Sequence, residues 1–186
     1  EGSPVILTVG AIKNRKGQKD SVAALALLKK DYPNFVYIMV GSDTDQNYMS
    51  QIKSLAEAEG IEPNLKVLAN VGSDEELSAV YQKADVFLLN SKNDKGHFEG
   101  FGLVFLEAYQ FGVPGVGSRG CGIEDAIVDG ETGYLANQGD TEDIARKIKM
   151  ALENKGFLGE KAREFAKTFS WDKTVDTYIG FYKAGR

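Results

Sequence analysis

The chain has 186 residues, 42% hydrophobic and 26% charged, enough for one domain with a core of its own. A net charge of −5, with no basic cluster denser than Lys13, Arg15, Lys16 and Lys19, argues against nucleic acid as the main partner. One cysteine, Cys121, excludes an internal disulfide and suits a reducing compartment, and no apolar run nears the ~20 residues of a membrane helix.

The opening Glu1-Gly2-Ser3 reads as a linker and not as a signal peptide, so further chain is expected upstream. "PVILTVG" (4–10) is a short β-branched run closed by Gly10, a buried strand. A helix is predicted over 18–32, with Val22, Leu25, Leu28 and Tyr32 on one face, then a strand over 34–41. The helix of 45–59 turns Met49, Ile52, Leu55 and Ala56 inward, and "NLKVLANV" forms a third strand. Ser73 and Glu76 have capping-box spacing ahead of Leu77, Val80 and Tyr81. "DVFLLN" (85–90) is the fourth strand, and a polar loop leads from it to an apolar helix ended by Gly112 and Pro114. A short strand near 113–116 follows, and "DGETGYL" turns into a sixth. Helices fill 140–155 and 157–168, and the last carries Trp171, Val175, Tyr178 and Tyr182 as one stripe, read as core.

Near-continuous apolar strands, each followed by a helix, predict a doubly wound, Rossmann-like α/β domain: a parallel sheet of about six strands with helices on both faces. The whole chain, 1–186, is read as this single domain. Ligands of such sheets bind beyond the carboxyl ends of the strands, so the loops after residues 9, 40, 69, 90 and 116 matter most.

The first of these, "VGAIKNRKGQ", lacks both the G-x-G-x-x-G of a dinucleotide site and the G-x-x-x-x-G-K-[ST] of a P-loop. It offers Gly10 at the strand end and two adjacent cations, Arg15 and Lys16. Either it is a solvated turn, or its cations neutralise a phosphate. In "EGFGLVFLEAYQFG" (99–112), Gly100 and Gly102 bracket Phe101 at a helix start, where free backbone N–H groups attract anions. Glu99 there suits the helix dipole, but Glu107 lies in the apolar run. Along a helix the two stand roughly 12 Å apart, and a buried, unpaired carboxylate costs several kcal/mol. Two acids flanking an anion-binding turn fit an extended ligand such as a nucleotide sugar; a structural role for both is the other reading.

Glu99-x7-Glu107, set in "EGFGLVFLEAYQFGVP", resembles the E-x7-E signature of the retaining group 1 (family 4) glycosyltransferases, enzymes of two Rossmann-like halves called GT-B. "ILTVGAIKNRKG", "DEELSAVYQKADVFLLNS", "GIEDAIVDGETGYL" and "FSW" extend the likeness, in order, over essentially the whole chain. It corresponds to the C-terminal, donor-binding half alone. The resemblance implies that Gly10, Arg15 and Lys16 face the donor diphosphate, and that the backbone of Phe101, Gly102 and Leu103 holds its phosphates and sugar. It implies that Glu99 binds the transferred sugar, Glu107 the ribose hydroxyls, and the backbone near Val71 the base. Lys16 and Glu99 are then the catalytic pair. No metal or cofactor is expected, since fixed cations and dipoles can stabilise the leaving diphosphate. Expected partners are a nucleotide-diphosphate sugar and the N-terminal domain of the same protein, not nucleic acid. A cytoplasmic location is expected, with any peripheral membrane contact made through the absent half. Many relatives carry arginine directly after the strand-end glycine; here that residue is Ala11, so diphosphate affinity is lower or Arg15 substitutes.

Other signals weigh less. Asp43 and Asp45 form a D-x-D that elsewhere holds a metal, but here they open a helix and read as caps. Cys121, between glycines and far from histidine in sequence, reads as a turn residue, and His97 as solvated or locally bonded. Two rival functions stand beside the enzyme: a non-catalytic nucleotide-sugar-binding or scaffolding module of the same fold, and a nicotinamide dehydrogenase, against which the missing glycine fingerprint argues.

Overall fold

The structure, a computed structural model, describes residues 2–94 and 96–184. Among these, six parallel strands form one sheet: β1 Val5–Val9, β2 Val36–Val40, β3 Leu65–Leu68, β4 Val86–Leu89, β5 Gly115–Ser118 and β6 Gly133–Ala136. The helices are α1 Gln18–Leu28, α2 Gln46–Ala58, α3 Asp74–Lys83, α4 Leu103–Gln110, α5 Thr141–Glu153, α6 Lys155–Ala166 and α7 Trp171–Ala184.

The strand order is β3-β2-β1-β4-β5-β6, the arrangement of a Rossmann-like doubly wound sheet. Leu7 of β1 lies beside Ile38 of β2 on one side and Phe87 of β4 on the other. The winding reverses between β1 and β4, so the helices that follow these two neighbours cover opposite faces of the sheet, the switch point where such folds bind ligands.

Alternation along each strand divides the core between two faces. Ile6, Val86 and Leu88 pack under α1, α2 and α5; Leu7, Phe87 and Leu89 pack under α3, α4 and most of α6. Each such buried side chain contributes about 1.5–3 kcal/mol of transfer free energy. Phe105 of α4 sits edge-on to Phe87, with ring centres 4.9 Å apart. That approach needs the bare backbone of β5: a Cβ on Gly115 or Gly117 would come within 2.7 or 2.9 Å of the Phe105 ring.

Three of the predicted helix starts hold. Asp45 accepts from the Tyr48 N–H at 3.0 Å, Ser73 from the Glu76 N–H at 3.2 Å, and Asp140 from the Asp143 N–H at 3.0 Å. Glu76 closes the box one residue early, accepting from the Gly72 N–H at 2.9 Å. α1 stops at Leu28, short of the expected residue 32, in a turn that precedes Pro33; a proline disfavours helix at the residue before it.

One expectation is overturned. The aromatic stripe of α7 is not core: Trp171 is 82% exposed and Tyr182 79%, with Val175 and Tyr178 open as well. The pattern marked an apolar face correctly, but both faces of the sheet are already covered by the six earlier helices. Among the described residues, no helix is long and apolar enough to cross a membrane.

Candidate functional site

The loop after β1 tightens into a 3-10 turn, Asn14–Lys16, and passes through Gly17 into α1. Gly17 has a φ of 71°, and a Cβ there would lie 1.9 Å from the Asn90 carbonyl oxygen. Only glycine permits this contact with the end of β4. The Lys92 N–H then donates to the Arg15 carbonyl at 2.7 Å, stitching the two loops together.

This contact brings Lys16 to Glu99. Lys16 Nζ donates to Glu99 Oε2 at 2.6 Å, with the two side chains only 14% and 13% exposed. The Ser91 hydroxyl donates to the same oxygen at 3.0 Å, and Arg15 Nη1 lies 3.5 Å away. That Arg15 contact is ionic without an aligned hydrogen bond: Nη1 is buried and has no acceptor among the described residues. Arg15 and Lys16, though adjacent in sequence, therefore reach one point. Glu99 itself is held by its backbone, whose carbonyl accepts from the Gly122 N–H at 3.0 Å. Gly122 fits because a Cβ would sit 1.1 Å from the Gly100 oxygen.

The helix is shorter than predicted. α4 begins at Leu103 with Gly102 as its left-handed cap, so Glu99 stands in the preceding loop, and the rise of a continuous helix does not measure its separation from Glu107. Unlike α2, α3 and α5, α4 begins with no side chain capping its N–H groups. Those donors remain for an anion. Gly102 is buried, Leu103 is exposed, and Phe101 packs against Phe169 with ring centres 5.5 Å apart.

Glu107 departs from expectation too. It is half-buried, and it faces the hydroxyl of Tyr81, which donates to its Oε2 at 2.8 Å. Tyr81 is 2% exposed; burial first, then the Glu107 charge, pushes its pKa far above the usual tyrosine range, so it remains a donor. The sequence presents Tyr81 as one more core position of α3, and Ser91 went unnoticed. A buried tyrosine hydroxyl needs a partner, as does a carboxylate on an apolar helix, and that paired need was the available signal.

Two adjoining cavities lie between Gly10 and Glu107. One of about 510 Å³ lies over the ends of β1 and β2 and is lined by Gly10, Ala11, Val71 and Gly72. Another, of about 220 Å³, lies between Tyr81, Glu107 and Ser78. Asp74 and Leu77 border both, so a groove runs from Gly10 past Val71 to Glu107. A third, of about 360 Å³, is bordered by Asn93, His97, Phe98 and Cys121. A larger cavity, of about 670 Å³, opens beside Asp85 and Lys155, at the opposite, amino ends of the strands. Three of its charged groups are already engaged: Lys155 holds Asp85 at 2.7 Å, and Arg163 donates to the Phe111 carbonyl.

Asp45 is the α2 cap, as read from the sequence. Cys121 is half-buried with its thiol pKa raised by burial, unsuited to nucleophilic work. The exposed His97 is bonded through its backbone to Asp94.

Residues 1–169 match the family model described as "Glycosyl transferases group 1". The chain belongs to this family. It is 34% identical to the D-inositol 3-phosphate glycosyltransferase of Geodermatophilus obscurus over 99% of its own length, but over only 41% of that protein's. This member of the glycosyl transferases group 1 thus spans about two fifths of that relative. Its fold superposes on Anabaena HepE, solved in complex with UDP, with a TM-score of 0.82 at 22% identity, covering 98% of this chain and 49% of that one. It likewise matches the C-terminal domain of the group 1 family protein LpcC of Francisella tularensis, with a TM-score of 0.79 at 22% identity, over 90% of this chain and 86% of that domain.

Proposed function

We propose that this chain is the donor-binding domain of a retaining glycosyltransferase that moves a sugar from a nucleotide diphosphate to an acceptor hydroxyl. The observation that carries the reading is the convergence of Lys16, Arg15 and Glu99 where the β1 and β4 loops meet, at the switch point of the sheet.

The groove orders the donor. The base lies along the backbone at Val71, and the ribose hydroxyls meet the Glu107 carboxylate. The diphosphate rests between Lys16, Arg15 and the uncapped amides at Gly102 and Leu103, and the sugar hydroxyls meet Glu99. Lys16 is neutralised by Glu99, so an arriving phosphate replaces one oxygen anion with another and frees Glu99 for the sugar. During transfer the anomeric C–O bond breaks with its electron pair on the diphosphate. The acceptor oxygen joins the same face of that carbon and passes its proton to the departing diphosphate oxygen. Lys16 and the α4 amides stabilise the growing phosphate charge, a contribution of about 3–4 kcal/mol for one well-placed donor. These groups need no metal to do so.

The position of Arg15 answers the substitution at Ala11: a second cation stands beside Lys16, and its buried Nη1 lacks the acceptor a phosphate oxygen would supply. This favours a working donor site over a module that has lost transfer. The acceptor and a second domain belong to a longer protein; the exposed α7 stripe and the 41% coverage of a relative support that. Alone, this chain binds nucleotide and transfers nothing. The full protein is cytoplasmic, with any membrane contact made through its other half.

Titration calorimetry with UDP, GDP and ADP, then their sugars, tests the reading. One nucleotide is expected to bind, weakened by Lys16→Ala and by Glu107→Ala. A folded chain that binds none of them, or binding indifferent to both substitutions, overturns it, as does turnover by the isolated chain.

A further inference from the structure

Glu107 sits on a short helix whose N-terminal residue, Leu103, is exposed, and a glutamate there has several rotamers open to it. What distinguishes it is a single rigid partner. Tyr81 is clamped between Phe111, whose ring is stacked at 5.7 Å and nearly parallel, and Phe87, at 6.1 Å. Its hydroxyl is thereby held at one point of the cavity that Glu107 borders, 2.8 Å from Oε2. A phenol so buried, beside a carboxylate, does not ionise and so always donates.

A carboxylate has about four acceptor positions over its two oxygens, and Tyr81 occupies one of them. We infer that Tyr81 is a positioning residue: its hydroxyl locks the Glu107 carboxylate in the orientation that recognises a ribose diol, so Tyr81 sets the selectivity of the site for ribonucleotides over deoxyribonucleotides. The inference rests on the donor-site reading above and assigns to α3 a role that its core packing alone does not require.

The test compares UDP with 2′-deoxy-UDP, or the corresponding pair for whichever nucleoside diphosphate binds best, by calorimetry on the wild-type chain and on Tyr81→Phe. Phenylalanine keeps the ring, its stacking and its burial while removing only the donor. The wild-type chain is expected to favour the ribonucleotide roughly tenfold or more, the scale of hydrogen bonds to a charged group. Tyr81→Phe is expected to cut that preference at least threefold and to leave pyrophosphate binding unchanged. In a Glu107→Ala background, the same substitution is expected to leave the preference where Glu107→Ala alone puts it.

An undiminished preference in Tyr81→Phe overturns the positioning role while leaving the donor site standing. No preference in the wild-type chain overturns the assignment of Glu107 to ribose, and the inference with it. Should Tyr81→Phe fail to fold, the hydroxyl proton of Tyr81 decides: a slowly exchanging NMR signal lost in Glu107→Ala supports the lock, and a freely exchanging hydroxyl in the wild-type chain overturns it.

Discussion

Lys16 Nζ and Glu99 Oε2 lie 2.6 Å apart, joined across 83 residues of sequence. The cation best placed for a phosphate is held by the acid assigned to the sugar. Glu99→Gln keeps the shape and removes this competitor, so nucleoside diphosphate binding is expected to tighten roughly three- to tenfold. The advantage of the nucleotide sugar over the bare nucleotide is expected to shrink in the same variant. Calorimetry with both ligands checks the pair of changes; weaker binding of the bare nucleotide contradicts the exchange.

Lys16→Ala is expected to weaken diphosphate binding by about tenfold or more, the loss of one charged hydrogen bond. Arg15→Ala is expected to cost less, since its side chain is 35% exposed and its contact with Glu99 is longer, at 3.5 Å. Both variants are expected to show a shallower salt dependence than the wild-type chain. Equal affinity in Arg15→Ala and wild type removes Arg15 from the site.

Gly17→Ala tests how the two loops are held together. It forces a left-handed residue to carry a Cβ that meets the Asn90 oxygen at 1.9 Å. The strain and clash together are expected to cost at least about 2 kcal/mol, lowering the melting temperature by roughly 4–8 °C. An unchanged melting curve refutes the close approach.

The α7 stripe yields the opposite expectation. Trp171→Ser or Tyr182→Ser removes a large side chain that is nearly free of contacts here, so the stability of this chain is expected to stay within about 0.5 kcal/mol of wild type. A loss of several kcal/mol in a denaturant titration shows α7 packed on this domain after all.

Stability at alkaline pH follows from buried phenols, Tyr37 and Tyr48 among them. Burial pushes Tyr37 and Tyr48 up to about 12. The folded chain thus keeps protons that the unfolded chain releases near pH 10, so their contribution is full below pH 10 and is lost as pH rises toward 12. Tyr37→Phe forfeits the hydrogen bond with Thr8 (2.9 Å) at neutral pH but is expected to show a gentler decline between pH 10 and 12. Denaturant midpoints measured over that interval check the slope.

Much of the fold is legible in local sequence because local physics produces it. Apolar runs such as 5–9 and 86–89 can only be strands buried on both faces, and Asp45, Ser73 and Asp140 start helices through bonds spanning three residues. Glycine is locally ambiguous: Gly102 fits the first turn of a helix by sequence, yet its left-handed backbone makes it the boundary, leaving Glu99 in a loop. Likewise the stripe on α7 reveals an apolar face and not what, if anything, lies against it.

From sequence by itself came the doubly wound class, the two acids, the two adjacent cations and the loops worth inspecting, because periodicity and residue type are properties of a segment. Tertiary structure alone decided that Arg15, Lys16 and Ser91 converge on Glu99, and that Tyr81 faces Glu107. Those contacts cross between elements 26 to 84 residues apart except at Ser91, and each depends on how β1, β4 and their helices stack. A side chain's partner is fixed by that packing, and no local pattern encodes it.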